Sequence, residues 1–346
     1  MITRSGTVFS ILLGLVSLPA LAKPTIVEFD PDGSIETSVS TNSIDKKGNI
    51  AGSYCCDGQS GVEAGFIRHP NGTYTTVGPS DYDVFGIALA AGGLATGAIE
   101  TGGAFIDDSK GHITKFAPPG ESDEMGTFPR DISADGTVFG YFGATDGLWH
   151  GFVRDNAGNF TLFDAPKAGT DGTSEKAGTF VSAASDTGEI VGWSVDDSLV
   201  AHAYLRSPNG KFKMLNLSKG QKSSHAYSVN KRGTVGGSYI DVNGITHGFL
   251  LDKKGNVTVV DIKDATYLQI SGVNDHSDAT GYYQGSDQVQ HSFVRSANGD
   301  VATFDAPDAG GTDGRGTIAQ SINNKGVVAG YYWGSTGFSH GFVRKP

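Results

Sequence analysis

The last stretch of the chain, Ile322 to Pro346, reads INNKGVVAGYYWGSTGFSHGFVRKP. It holds two strand patterns, VVAGYY and HGFVR, joined by a loop, and it stops where a third strand is due. In the preceding repeat that third strand is VATFDAPDAG, from Val301. Its counterpart lies at the other end of the chain, in TIVEFDPDG, Thr25 to Gly33. A linear array gains nothing by splitting one unit between its two ends. A closed ring gains a latch and loses two open sheet edges.

The same pattern recurs along the chain. Aligned on the glycine of VVAG, units fall at Gly52, Gly97, Gly140, Gly192, Gly237, Gly281 and Gly330, with spacings of 45, 43, 52, 45, 44 and 49 residues. A period near 45 is that of one propeller blade. Each unit reads as four strands. Strand a ends in the SIN segment, b is VVAGYY, c is HGFVR and d is VATFDAP. Turn residues sit where hairpins need them, such as Asn71-Gly72, Asn209-Gly210 and Asn298-Gly299 between c and d. The expectation is an all-β, seven-bladed β-propeller over residues 23–346, with four-stranded blades and the N-terminal strand completing the last one.

Composition agrees. The chain has 346 residues, of which 51 are Gly, and charged residues make up 18%. Abundant Gly with scattered β-branched and aromatic residues favours short strands and tight turns. Residues 1–22 read as a signal peptide: Arg4, an apolar run from Val8 to Val16, and Ala20-Leu21-Ala22 as the cleavage pattern. A secreted or periplasmic location follows, and no later run is long enough to span a bilayer. The net charge of −11 argues against nucleic acid or an anionic membrane as the main partner. The two cysteines, Cys55 and Cys56, are adjacent, and export permits a vicinal disulfide or leaves two thiols in a loop.

The blocks HGFVR, TFDAP and SINNKGVVAGYY resemble the extracellular repeat family named for its HAF tripeptide, over essentially the whole chain after residue 22. The resemblance implies fold and export and says little about activity. The second unit departs most, with GAF for HGF and LATGAI for VVAGYY.

Alternating strand direction puts the a–b and c–d turns on one face of the disc and the b–c and d–a loops on the other. The second face carries the length variation, in Lys167 to Thr179 and Asp308 to Thr317, and is the expected binding face. His150, His202, His247, His291 and His340 recur at the start of strand c, and Arg68, Arg154, Arg206, Arg295 and Arg344 at its end. A feature repeated in five units reads as architecture. Asp30, Asp164, Asp261 and Asp305, at the end of strand d, are expected to satisfy backbone N–H groups. The remaining histidines named as outside the repeat are His69, His112 and His276, each in or beside a turn.

Two asymmetric features remain. Aromatic residues end strand b, and Trp333, Tyr332, Tyr283, Tyr239, Trp193 and Tyr54 are candidates for a flat platform that would stack on sugar rings. Against this, rings in that position pack between blades. Carboxylates in the d–a loops, Glu121, Asp123, Glu124, Asp171, Glu175, Asp308 and Asp313, could form a solvated rim, hold calcium, or supply an acid and base for glycoside cleavage. No G-x-S-x-G, H-E-x-x-H or P-loop motif is present. The leading expectation is a monomeric binding propeller with a glycan or protein ligand on the b–c/d–a face. The alternatives are a polysaccharide lyase or glycoside hydrolase at the central pit, and a structural envelope or matrix scaffold.

Overall fold

The computed structural model describes residues 23–56, 63–108, 110–172, 176–310 and 315–346. Glu175 and Asp313 lie outside the described residues, and so does the side chain of Cys56, so the vicinal disulfide falls outside as well. Among the described residues all regular structure is strand, in 28 segments.

The strands form antiparallel sets of four in the order a-b-c-d. In unit six these are Tyr267–Val273, Ala279–Gln284, Gln290–Arg295 and Val301–Phe304. In unit seven a, b and c are Thr317–Ile322, Val328–Trp333 and Ser339–Lys345, and d is Thr25–Phe29. The N-terminal strand pairs antiparallel with strand c, from Thr25 opposite Lys345 to Phe29 opposite Gly341. One parallel bridge, Trp149 to Gly178, joins the sets of units three and four into a single eight-stranded sheet.

Strand a of each unit packs on the set before it, and strand a of unit one packs on a, b and c of unit seven, so the contacts run in a complete circuit. The d strands are the exposed ones, with Val301–Phe304 reading exposed at three of four positions, whereas Thr317–Ile322 is buried at five of six. Strand a is therefore innermost and d outermost.

The repeat motifs can now be read as packing. The aromatic residue of HGF is fully buried in every unit: Phe66, Phe105, Phe152, Tyr204, Phe249, Phe293 and Phe342. Burying such a ring contributes roughly 1.5–3 kcal/mol. The Arg of strand c lies over the d-strand Phe of the preceding unit: Arg154 over Phe116 at 5.0 Å, Arg206 over Phe163 at 4.6 Å and Arg344 over Phe304 at 5.0 Å. Arg68 of unit one does the same to Phe29, at 4.7 Å. The N-terminal strand thus stands to unit one as any d strand stands to the next unit.

The Asn of SIN links neighbours on the turn face. Asn230 Nδ2 donates to Asn274 O at 2.7 Å, Asn274 to Asn323 O at 3.1 Å, and Asn323 to Asp45 O at 3.1 Å. The last of these crosses from unit seven to unit one.

Candidate functional site

The b–c/d–a face carries two kinds of structure: a repeated clasp in most units and an irregular mouth around the axis. In the clasp, the strand-c histidine bridges two aspartates. His150 Nδ1 lies 2.7 Å from Asp164 at the end of strand d, and Nε2 lies 3.1 Å from Asp146 in the b–c loop. His291 is held likewise by Asp305 at 2.9 Å and Asp287 at 3.2 Å, and His247 meets Asp261 at 2.7 Å. In each case the strand-d aspartate follows its histidine by fourteen residues. In unit seven the partner of His340 is Asp30, at 2.8 Å and 310 residues away. These aspartates therefore serve the imidazoles, which corrects the expectation that they bond backbone N–H groups. In unit four the corresponding residue is Asn216; of the two aspartates His202 keeps Asp196, at 2.8 Å, and Lys167 Nζ lies 3.5 Å from its Nδ1.

The clasp also accounts for three platform candidates. Tyr332 and Tyr239 are buried, their rings against His340 at 5.3 Å and His247 at 5.1 Å. Tyr283 lies on His291 at 5.3 Å, and Tyr54 packs beside Phe66 in the core between units seven and one. Burial removes Tyr332 and Tyr239 as stacking platforms, whereas Tyr283 and Tyr54 are half-buried and lie outside the aromatic arc of the mouth. Trp333 is half-buried under the guanidinium of Arg315, 4.5 Å from the ring centre.

Asp164 holds the His150 imidazole above its ordinary value, with burial opposing and Asp146 adding to the effect. His291 is also raised: burial pulls it down, and the bonds and charges of Asp305 and Asp287 outweigh that. A base raised on folding contributes stability that is complete below the unfolded value, near 6.5, and is lost as pH rises through the folded value. Thermal midpoints should therefore fall between neutral and mildly alkaline pH. In a His150→Gln, His291→Gln variant they should fall less. Parallel curves for variant and wild type above pH ~7 would show that the clasps carry no charge.

The mouth is lined differently. Strand a runs from the loop face inward and strand b runs back to it, so the first residues of a and the last of b meet there. Phe85 touches Phe128 at 6.0 Å, and Phe128 stacks on Tyr141 at 5.4 Å. Tyr141 meets Phe180 at 5.2 Å, Phe180 stacks on Trp193 at 5.6 Å, and Trp193 meets His225 at 5.0 Å and Tyr227 at 5.7 Å. The line continues through a hydrogen bond between Tyr227 and Tyr267. Gln269 accepts from Tyr267 at 2.8 Å and from Tyr282 at 3.2 Å. These rings are half-buried, and they pass through units two to six. Trp193, the remaining platform candidate, is the one that belongs to this arc.

At unit one the arc is interrupted. Its places are taken by Ser38 opposite Ser53, and four carboxylates gather beside them. Ser53 Oγ donates to Glu63 at 2.5 Å, and the Glu63 backbone N–H donates to Asp83. Burial raises the Glu63 carboxyl, the Ser53 bond opposes this, and the charges of Asp83, Glu36 and Glu100 add to it. Of these four none was among the acidic candidates. Those candidates lie elsewhere: Glu121 is used internally, accepting from Gly103 N at 2.8 Å and Thr127 Oγ1 at 2.5 Å, while Asp123, Glu124 and Asp171 are exposed. Asp308 lines, with Glu28, Tyr332 and His340, a separate polar cavity of ≈ 550 Å³ in unit seven. Among the described residues no three of His, Cys, Asp or Glu are placed to hold a metal ion.

The mouth has a floor. Strand a of unit one carries four residues, Ser40 to Ser43, between the pairs Val39/Gly52 and Ile44/Ile50, where unit seven has two between Ala319/Gly330 and Ile322/Val328. The extra length spans the axis. Asn42 Nδ2 donates to Ser182 O in unit four at 3.1 Å, and Arg130 of unit three donates to Thr41 at 3.1 Å. Asn42 adopts φ 55, a conformation Asn tolerates better than most residues.

His225 is the residue sequence reading missed. It lies in strand a, outside the clasp position, in SSHAYSV. Burial pulls its imidazole down to about 4, so it is neutral at physiological pH. The available signal was its place: the ninth histidine falls in no turn and away from the recurring strand-c histidines, at the strand-a place that holds Phe128 and Phe180 in units three and four.

No family model matches the chain, and no curated protein matches it. Among solved structures it is similar to a streptogramin B lyase, with TM-score 0.59 and 11% identity over 93% of this chain and 98% of that one. It is similar to virginiamycin B lyase from Staphylococcus aureus, with TM-score 0.59 and 9% identity over 94% and 100%. It is also similar to the β-propeller domain of the Trilobed protease from Pyrococcus furiosus, whose velcro topology is open, with TM-score 0.55 and 10% identity over 90% and 94%. At these identities the likeness is one of fold, and it makes the chain an all-β protein of the β-propeller class.

Proposed function

We propose that the chain is an exported, seven-bladed propeller, latched by its N-terminal strand, that binds a ligand at the mouth of the b–c/d–a face. The observation that carries this is the half-buried aromatic arc through units two to six, set above a floor made by Thr41 and Asn42. Half-buried rings beside hydroxyl and amide groups, such as those of Tyr267 and Gln269, suit a glycan, whose C–H groups pack on aromatic surface while its hydroxyls find partners. A glycan array is the direct test. A Trp193→Ala, Tyr141→Ala variant should lose the signal at least tenfold, and Trp333→Ala should keep it. Loss through Trp333 alone would move the site to the unit-seven rim, and an array without signal would favour a protein ligand, sought by cross-linking at the same arc.

A second reading is favoured by one observation. The mouth is not a ring of identical groups: neutral His225 with Tyr227 lies on one side and the Glu63 group on the other. A neutral imidazole can accept a proton, and a carboxyl raised by burial can donate one, as lyase or glycoside hydrolase chemistry requires. Incubation with acidic and neutral polysaccharides should then release product, and His225→Ala should stop it. Inertness across the panel counts against this reading and leaves the binding reading standing.

A further inference from the structure

The opposite face is built by the a–b turns, and the asparagine ladder covers only part of it. Asn230, Asn274 and Asn323 hold units five, six, seven and one together. In units two, three and four the corresponding positions are Ala90, Ser133 and Ser185, which close the same turn hydrogen bonds with smaller side chains. Where the ladder stops, a cavity of ≈ 700 Å³ opens, walled by Ile44, Leu89, Ala90, Ile132 and Phe139. Asp131 lies among these walls, and the lining continues through Asp45, Lys46, Asp135, Ser185 and Asp186.

Asp131 exceeds what the architecture needs. It sits opposite Phe139 just after the strand-a bulge, and the residues in that register place in units four to seven are Ala183, Ser228, Gly272 and Ser321. In unit five the Ser228 hydroxyl makes the bond between neighbouring units, accepting from Val273 N at 3.0 Å. Asp131 makes the equivalent bond, accepting from Ala184 N at 3.0 Å, and its other oxygen accepts from Ile132 N at 2.9 Å. An ionised carboxylate has about four acceptor sites, so half its capacity is left facing the cavity.

We propose that this cavity is a second binding site, for a small organic ammonium whose charge meets Asp131 and whose hydrocarbon body lies against Leu89, Ile132 and Phe139. A cavity of this volume is in the range that holds small molecules. An ammonium with a hydrocarbon body uses both the carboxylate and the apolar walls, whereas a neutral apolar molecule leaves the carboxylate unused. The charged groups facing Asp131 are Asp186 and Arg130, with Lys46, Asp45 and Asp135 also on the lining; Lys46 is already paired with Asp186 at 3.1 Å, and Asp45 accepts from the backbone N–H groups of Lys47, Gly48 and Asn49. Burial holds the Asp131 carboxyl up at about 7, against the two backbone bonds; Asp186 adds to this and Arg130 opposes it. Binding an ammonium requires the ionised form, so affinity should rise with pH through about 7 and then level off.

Benzylammonium is the probe, with benzyl alcohol as its uncharged counterpart, titrated by calorimetry at pH 6 and pH 8. Saturable one-to-one binding is expected at pH 8, about tenfold tighter than for the alcohol and about tenfold weaker at pH 6. Asp131→Asn keeps an acceptor for Ala184 N and should lose both the preference and the pH dependence. Should that variant misfold, Ala90→Leu narrows the apolar wall beside Leu89 with the acid intact and should weaken binding by about tenfold. Trp193→Ala, on the other face, should leave benzylammonium binding unchanged, which separates this site from the loop-face mouth. No binding by the wild type, equal binding of the alcohol, or binding that Ala90→Leu leaves unchanged overturns the assignment.

Discussion

A chain lacking residues 23–33 should not fold cooperatively. The strand it loses supplies the outer edge of unit seven and part of the core between units seven and one. Phe29 is buried, 6.2 Å from Phe66 and 6.5 Å from Tyr74, with the Arg68 guanidinium over its face. Removing a buried Phe alone costs about 3–5 kcal/mol. The deletion also strips the pairing from strand Ser339–Lys345 and leaves His340 without Asp30. Against a total stability of about 5–15 kcal/mol, that sum removes most of what holds the ring together. Urea unfolding followed by circular dichroism should show a broad or absent transition. A permuted chain, with residues 23–33 moved behind Lys345, restores every contact except the tie between the ends. It should fold, with a lower midpoint than the wild type. A truncated chain with an unchanged midpoint and slope would show that the ring closes without its latch.

The latch was legible because a repeat reports its own defects. HGFVRKP ends a unit early, and TIVEFDPDG begins one late, so the match between the ends could be read without any side-chain geometry. The clasp was half legible. His and Asp recur at fixed places in HGFVR and TFDAP, yet their separation by fourteen residues across the c–d hairpin is only in unit seven converted into a contact between chain ends. The mouth was hardly legible. Repeat alignment draws the eye to positions that recur, whereas the mouth depends on the places where recurrence fails. Ser38 and Ser53 replace rings, two extra residues lengthen strand a of unit one, and His225 stands where other units carry Phe128, Phe180 or Gln269. The candidates taken from the ends of b strands were drawn from both sides of the sheet. Tyr332 points to the clasp and Trp193 to the mouth, and the alternation of side chains along a strand separates them only once the register is known.

The glycines give the second large effect, and they divide by what they touch. Gly330, of VVAG, lies where strand a bulges toward strand b, between Ala319 and Ser321. A Cβ there would stand 2.1 Å from the Ile318 carbonyl oxygen and 2.8 Å from the Phe342 ring. The same holds at Gly192, Gly237 and Gly281, with a carbonyl oxygen at 1.9, 2.1 and 1.9 Å. Backbone held in a bulge on the innermost strand has nowhere to move, so Gly330→Ala should destabilise by on the order of 3 kcal/mol or more. Shortening the ring above it, as Gly330→Ala with Phe342→Leu, should restore nothing, because the carbonyl remains. Gly341, of HGF, meets a side chain instead: its Cβ would stand 2.4 Å from the ring of Phe29 on the latch strand. Gly341→Ala should therefore be costly alone and partly relieved by Phe29→Leu, with a coupling of about 1–2 kcal/mol in a double-mutant cycle. The two cycles, read by the same urea titration, test both contacts at once. Additive effects at Gly341 and Phe29 would mean that the two do not touch, and with them would go the pairing of Thr25–Phe29 on the last strand of the chain.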